Sequence, residues 1–203
     1  MAKRIGIYCI ILGFICLLSS AGFAVYNRVE AQKGAVSSQE LLQVLQQTMA
    51  EANAPLRETV FPENLAEDAS GEMLTVPAGD YESIGILSIP VLELELPVLT
   101  PWSYAKLKKA PCHYYGSCCG SDFVIAAHNY PTHFGRLSEL QAGDLVLFTD
   151  ARGEVHGYEV VLLETLSPTA TLDMITSGFD LSLYTCTPGG SNRVTARCRA
   201  VNR

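Results

Sequence analysis

Hydrophobic and polar residues alternate along two neighbouring segments near the C-terminus. Over 181–186, leucines alternate with polar or reactive residues, and over 193–200, arginines and a threonine alternate with small apolar residues. A period of two is typical of a strand with one buried face. The pattern therefore predicts two strands joined by a Gly-rich loop, with Cys186 and Arg193 on the polar face. If the strands pair, a thiol and a guanidinium share one cleft, where a cation stabilises a thiolate.

Short apolar segments of similar length follow one another from residue 83 onward. Further strands are predicted at 84–89, 92–96, 123–127, 144–149 and 154–164, with short helical segments at 103–109, 133–140 and 171–175 and a tight turn at 150–153. Many short strands with helical turns only in the connections are typical of a barrel. We therefore predict a mainly β fold, a closed seven- to eight-stranded β-barrel with short helices.

The N-terminus carries an apolar segment of a different kind. Residues 5–26 form an uncharged run of 22 residues, which is long enough as a helix to span a hydrocarbon core of roughly 30 Å. Lys3 and Arg4 precede it and only Arg28 follows closely, so the positive-inside rule places residues 1–4 in the cytoplasm. The run exceeds the usual apolar length of a signal peptide, which favours an uncleaved transmembrane anchor over a cleaved leader.

Residues 27–82 are expected to form an extracellular helix followed by an acidic linker. A possible capping box at Ser37–Glu40 and apolar residues at helical spacing predict an amphipathic helix over 38–53, with a role as a spacer. Residues 54–82 are rich in Pro, Glu and Ala without clear periodicity, which is typical of a linker of low order. The folded domain is then 83–203.

The charge of the chain excludes one broad class of function. The formal net charge is −7, and the sequence holds no basic patch of the kind that nucleic-acid binding requires. We therefore expect no nucleic-acid partner.

Cysteine usage points to one unpaired thiol. Of the seven cysteines, two lie in the apolar run, which leaves an odd number outside it in an oxidising compartment. Cys186 is the candidate for the free thiol. For the others, a disulfide from Cys112 to Cys118 or Cys119 is favoured over a zinc knuckle that includes His113, because the spacing of such a knuckle would be irregular. Cys198 lies on an apolar strand face and is expected in the core.

A thiol nucleophile needs an imidazole to manage its proton and donors for the oxyanion. The chain has four histidines. His128 ends an apolar strand and opens a loop, the position at which functional side chains are commonly presented. Taken alone, each of Cys186, His128 and Arg193 is more often an ordinary core or surface residue.

Together these residues resemble the sortases, membrane-anchored cysteine transpeptidases. The resemblance covers about 84–201: an opening strand pair, Ser121-Asp-Phe-Val-Ile-Ala-Ala-His-Asn129, the helical turn at 134–140, and Leu183-Tyr-Thr-Cys186 followed seven residues later by Arg193. It implies a sortase-type barrel preceded by the transmembrane helix.

The resemblance also implies roles for the site residues. Cys186 would attack a threonine carbonyl in a sorting signal similar to Leu-Pro-x-Thr-Gly, and protonated His128 would give its proton to the departing amine. Arg193 would bind the oxyanion or the substrate backbone. The predicted substrate-binding residues are Thr185, Ser182, Tyr184 and Asn129.

The expected partners follow from the same resemblance. They are surface proteins bearing a sorting signal, with a peptidoglycan precursor or pilin amine as acceptor, and the membrane through the N-terminal helix. No cofactor and no metal are expected. The loop between Cys186 and Arg193 is short, the sequence shows no second transmembrane span and no Asp-Pro-aromatic lid, and no cluster of acids matches a calcium site. Together these departures favour a class B- or D-like subclass. Two alternatives remain open: a membrane-anchored cysteine protease and a non-catalytic wall-binding barrel.

Overall fold

The computed structural model describes residues 2–52 and 73–201, which belong to two compact units, 1–33 and 34–203. The helices are α1 (Ala2–Ala52), α2 (Tyr104–Leu107) and α3 (Thr171–Ile175), with 3-10 turns at Pro90–Leu92 and Leu137–Glu139. The strands are β1 (Val76–Ala78), β2 (Tyr81–Ile89), β3 (Leu94–Thr100), β4 (Cys112–Tyr115), β5 (Phe123–Ala126), β6 (Leu145–Asp150), β7 (Val155–Leu166), β8 (Leu181–Cys186) and β9 (Arg193–Ala200).

Eight of these strands close into a barrel. Their order is β2-β3-β4-β5-β8-β9-β7-β6, and β6 pairs back onto β2, while β1 forms a hairpin with β2. Gly85 permits this closure, because it has a φ of +147° and a Cβ there would lie 2.1 Å from the carbonyl oxygen of Thr149. The predicted closed barrel of seven to eight strands is confirmed.

The barrel has two ends that carry different chemistry. At the end that we call the rim, β5 and β8 finish side by side, with Ala126 opposite Tyr184, and β9 begins at Arg193. At the other end, which we call the hairpin end, β6 turns into β7 through residues 150–154. Between them lies a core of aliphatic and aromatic side chains in which Phe123 and Phe148 meet edge to face at 5.1 Å.

Helix α1 joins two segments for which the sequence predicted separate helices, 5–26 and 38–53. The capping box at 37–40 was wrong, because these residues lie inside α1 rather than at its start. No proline interrupts the intervening residues, so the helix continues. Its N-terminal part contains a window of mean hydropathy 1.9 with no buried residue, so by length and composition it can cross a membrane.

The C-terminal part of α1 packs on the barrel wall instead of serving only as a spacer. Its buried face is spaced at three or four residues, the period of one helix face: Gly34, Ser38, Leu41, Leu45 and Met49. Of these, Leu41, Leu45 and Met49 share a second apolar cluster with residues of β2, β3, β4 and β5, among them Ile86, Leu99 and Ala126. Helix 34–52 is therefore part of the folded unit that carries the rim.

Three other features differ from the sequence predictions. Most of the predicted linker, 54–82, lies outside the described residues, and its end forms β1 and the start of β2. Strand β4 was not predicted. It also separates two cysteines that were expected to pair: Cys112 lies beside Leu99 towards the rim, whereas Cys118 follows the strand towards the hairpin end. The six cysteines whose side chains the structure describes are free, so the predicted disulfide from Cys112 to Cys118 or Cys119 is wrong.

Candidate active site

Cys186 and Arg193 face each other where β8 ends and β9 begins. They are direct partners in the antiparallel register, so their side chains project on the same side of the sheet. The connecting loop is closed by two backbone bonds, from the Thr187 N–H to the Asn192 carbonyl at 3.0 Å and from the Gly190 N–H to the Thr187 carbonyl at 2.8 Å. The short loop fixes a thiol and a guanidinium as neighbours, as the alternation predicted.

His128 follows the adjacent strand end. The Ala127 N–H donates to the Tyr184 carbonyl at 3.1 Å, and the Thr185 hydroxyl donates to the Ala127 carbonyl at 2.9 Å. These bonds extend the parallel pairing of β5 with β8 by one residue at the rim. His128 and Cys186 are each the next residue beyond this tie, so the structure brings both to the same part of the rim.

The His128 imidazole is held in a partly dry setting. It is half-buried and stacks on the Tyr130 ring, with ring centroids 4.8 Å apart and an interplanar angle of 19°. Burial, and secondarily the positive charge of Lys108, lower the pKa of His128 below its ordinary value. This shift favours the neutral imidazole.

Tyr130 connects the histidine to helix α1. A Cβ at Gly34 would lie 2.9 Å from two Tyr130 ring carbons and 3.0 Å from the Lys108 carbonyl oxygen, so only glycine leaves room for this ring. No sequence pattern assigned a role to Tyr130. Its position two residues after His128, in a loop that turns sharply back on itself, was the available signal.

The loop after His128 is fixed by its own backbone. The Phe134 N–H donates to the His128 carbonyl at 3.1 Å, and the Gly135 N–H donates to the Tyr130 carbonyl at 2.9 Å. His133 is fully buried within this loop, and burial lowers its pKa to about 4. A buried neutral imidazole is thus part of the rim.

The Arg193 guanidinium uses only some of its hydrogen-bond donors. Its Nη1 donates to the carbonyls of Gly190 and Asn192, both at 3.1 Å. The structure shows no further hydrogen bond from Arg193 to the described residues. The planar guanidinium carries additional N–H donors on Nε and Nη2. The loop thus orients the guanidinium while part of it remains available to an anionic ligand.

A groove of about 210 Å³ opens beside Arg193. One wall is aromatic, with Trp102 edge to face against Tyr104 at 4.8 Å and Tyr114 against Tyr184 at 5.4 Å. The other wall is the β7–α3 connection and α3 itself; its lining residues are Ser167, Pro168, Ala170, Thr171 and Met174. The groove therefore combines an aromatic wall, small polar side chains and one guanidinium.

Arg197 holds the second wall in place. It is 2% exposed, and it donates to the Glu164 carboxylate at 2.7 Å, to the Asp173 carbonyl at 2.6 Å and to the Ser182 hydroxyl at 2.8 Å. The buried charge is therefore paired and docks α3 against β8 and β9.

The four predicted substrate-binding residues are not equally placed. Tyr184 lines the groove, and burial and the neighbouring Tyr114 raise its pKa. Asn129 is half-buried next to His128. Thr185 is buried with its hydroxyl donated to Ala127, and Ser182 is fully buried under Arg197. The Thr185 and Ser182 side chains thus pack beneath the site and are not exposed in the groove.

Comparison with known proteins places this geometry in a family. A model of the sortase domain matches residues 87–201. Sortase C1 from Streptococcus suis has 29% sequence identity and a TM-score of 0.53, covering 60% of this chain and 74% of that chain. The pilus-related sortase C of Group B Streptococcus has 27% identity and a TM-score of 0.53, covering 59% and 68%. The sortase C of Streptococcus pneumoniae, at 24% identity and a TM-score of 0.54, covers 81% and 90% and shares the fold.

Comparison with curated proteins gives no match. The domain match nevertheless spans more than half of the chain, and fold and match agree. The barrel is of the class that cysteine transpeptidases use, and the chain belongs to the sortase family. Sortases are membrane-anchored, and an N-terminal apolar helix is present here as well.

Proposed function

We propose that this protein is a transpeptidase that cleaves a C-terminal sorting signal of the Leu-Pro-x-Thr-Gly type and transfers the protein to an amine. The observation that carries the proposal is the register pair of Cys186 with Arg193 at the rim, next to the strand end that presents His128. The groove beside Arg193 supports a peptide substrate.

The chemistry follows from these three side chains. The neutral His128 accepts the proton of the Cys186 thiol as its sulfur attacks the threonine carbonyl, and Arg193 donates hydrogen bonds to the oxyanion. His128 then gives the proton to the departing glycine amine, which leaves a thioester on Cys186. An incoming amine loses a proton to His128, attacks the thioester and releases the thiol.

The acceptor is an amine of a peptidoglycan precursor or of a pilin. The pilus-related sortase C among the similar structures supports a pilin amine. Tyr184 lines the substrate groove, Asn129 binds the substrate beside His128, and the backbone of Thr185 supports the rim. The proposal needs no cofactor.

The proposed arrangement in the cell is a single-pass membrane protein. Residues 1–4 are cytoplasmic, 5–26 span the membrane, and 27–82 and the catalytic domain, 83–203, lie outside. Lys3 and Arg4 before the span support this orientation. A membrane-impermeant thiol reagent applied to intact cells should label the exposed Cys119; protection of Cys119 until the cells are lysed would reverse the orientation.

The function is tested with the full-length chain in detergent micelles. The chain is mixed with a panel of sorting-signal peptides and two amine acceptors, a peptidoglycan stem peptide and a pilin lysine peptide. A product that joins the truncated peptide to one acceptor, absent with Cys186→Ala, supports the proposal and names the acceptor. Release of truncated peptide without transfer would contradict transpeptidation and favour a cysteine protease. Absence of both reactions would favour a binding barrel.

A further inference from the structure

Three side chains with metal-binding chemistry meet at the hairpin end of the barrel. Cys118 lies in the β4–β5 connection, Asp150 ends β6, and His156 is the second residue of β7. The sulfur, one carboxylate oxygen and one ring nitrogen all lie within 4.8 Å of one another. The proposed transpeptidation uses none of these residues.

The backbone around the cluster fixes two of the donors. One oxygen of Asp150, Oδ1, accepts from the N–H groups of Arg152 at 2.9 Å and Glu154 at 3.0 Å. Its other oxygen, Oδ2, is directed at His156 Nε2, 3.2 Å away. The tight turn therefore orients the carboxylate before any ligand arrives.

The third donor is held from the core. Cys118 is buried, and the buried Tyr158 lies with its hydroxyl 3.4 Å from the Cys118 carbonyl oxygen as a hydrogen-bond donor. Tyr158 lies on β7, close to His156. One strand thus anchors the loop of the thiol and also carries the imidazole.

The donor set and spacing suit a tetrahedral zinc ion. Zinc binds thiolate, imidazole and carboxylate at 2.0–2.3 Å, so neighbouring ligand atoms of a tetrahedron lie about 3.3–3.8 Å apart. Asp150 Oδ2 and His156 Nε2 are 3.2 Å apart, which is close to this value. The largest separation among the three donor atoms, up to 4.8 Å, needs to shrink by only about 1 Å. Asp150 and His156 are 12% and 21% exposed, which leaves a fourth position open to water.

We propose that Cys118, Asp150 and His156 form a binding site for Zn²⁺, with water as the fourth ligand. The ion replaces the thiol proton of Cys118, which passes to solvent. The site ties the β4–β5 connection to the β6–β7 hairpin, so its role is structural and separate from the rim.

The neighbouring Cys119 supplies a matched control. It is exposed, and its sulfur lies 3.9 Å from that of Cys118, but it is outside the three-residue group. His113 serves likewise, because its ring bonds the Gly116 carbonyl at 2.7 Å and not the cluster. Cys119→Ser and His113→Gln therefore remove a nearby thiol and a nearby imidazole and leave all three proposed ligands in place.

The experiment uses full-length protein in detergent and reductant, stripped with a chelator and then titrated with Zn²⁺. The wild type should bind one Zn²⁺ per chain and melt at a higher temperature with the ion. Replacement by Co²⁺ should add a thiolate-to-metal charge-transfer band. Cys118→Ser and His156→Gln should each weaken binding by more than about 100-fold, beyond the usual effect of residues outside the ligand shell. Both controls should bind as the wild type does.

Other results would overturn the site. The site would be ruled out if the wild type bound no Zn²⁺ or if His156→Gln bound it normally. Because His156 is partly exposed, His156→Gln should fold even if Cys118→Ser does not. A loss in Cys119→Ser equal to that in Cys118→Ser would replace the three-residue site with a dithiol. Protein isolated without reductant is also weighed. A mass lower by two hydrogens, with Cys118 joined to Cys119, would favour a disulfide over the zinc site.

Discussion

The two ends of the barrel each combine a cysteine with a histidine, but the surroundings differ. At the rim, Cys186 is partly exposed and faces Arg193, which lines the groove of about 210 Å³. At the hairpin end, Cys118 is buried, and burial together with Cys119 and Asp150 raises its pKa to about 12. A nucleophile needs access and a cation, whereas a buried thiol beside a carboxylate keeps its proton unless a metal ion displaces it. The neighbours of each thiol therefore decide its chemistry.

Removing each thiol in turn separates the roles of the two ends. Cys186→Ala should lower transpeptidation by at least about 10³-fold, because no thioester can form. Cys118→Ala should leave turnover per folded molecule within a few-fold of the wild type. Product formation measured by mass spectrometry decides this, with active protein normalised by the circular dichroism of the barrel. Equal losses in the two folded variants would contradict the division of roles.

Arg193 is the first residue of β9 and Arg199 lies near the end of the same strand. Replacing each in turn tests whether the cation at the rim is the one that catalysis needs. Arg193→Ala should reduce kcat by about 10²- to 10³-fold, the usual effect of removing an oxyanion donor. Arg199→Ala should change it little, because Arg199 lies over the Phe179 ring at the hairpin end, 4.7 Å from its centroid. A loss expressed only in KM for Arg193→Ala would assign it to substrate binding instead of the oxyanion.

His133 makes the stability of the rim depend on pH. Its pKa is about 4 in the folded protein against 6.5 in the unfolded chain, so the unfolded state binds the proton more readily. This contribution is intact above pH 6.5 and is lost as the pH falls towards 4, by up to about 3 kcal/mol.

Urea unfolding checks this, because Trp102 is the single tryptophan and reports on the barrel. Between pH 7 and pH 4 the free energy of unfolding should fall more steeply in the wild type than in His133→Gln. His113→Gln is the control and should keep the steep fall. Parallel curves for the wild type and His133→Gln would show that His133 does not carry the effect.

The smallest expected effect concerns the link from helix α1 to His128. Gly34→Ala forces the Tyr130 ring away, because the Lys108 carbonyl on the other side is backbone and yields less. We expect about a tenfold loss in kcat/KM, since positioning errors near 1 Å cost 10- to 100-fold. The acid limb of the pH profile should also move to higher pH, as His128 becomes better solvated.

Gly22→Ala is the matched control in the same helix. A Cβ at Gly22 meets no atom within 4 Å among the described residues, so the variant should behave as the wild type. Tyr130→Phe keeps the ring and should also retain the acid limb. A Gly34→Ala profile that overlays the Gly22→Ala profile would remove Tyr130 as a positioning residue.

Much of the rim could be predicted from the sequence, because the pairing of Cys186 with Arg193 depends on residues that are close together in the chain. Alternation over 181–186 and 193–200 placed Cys186 opposite Arg193, and the register confirms that pairing. Alternation assigns a face but does not show what covers it. Ser182 was therefore expected in the groove, whereas α3 and Arg197 bury it.

What could not be predicted depends on contacts between distant segments. Strand β4, Cys-His-Tyr-Tyr, has no clear alternation, and its pairing with β5 provides its order. Cys118, Asp150 and His156 come from separate elements that meet only when β6 and β7 turn beside the β4–β5 connection. Likewise, helical spacing at 41–49 predicted an amphipathic face but not that the barrel itself would bury it.

If the rim thiol is the nucleophile, the trapped acyl group lies on Cys186. Full-length protein is trapped with a sorting-signal peptide without an acceptor amine, digested, and mapped by mass spectrometry. We predict an acyl group of the peptide truncated after threonine on Cys186 and no acyl group on Cys118 or Cys119. An acyl group on either cysteine of the hairpin end, or acylation that persists in Cys186→Ala, would contradict the account.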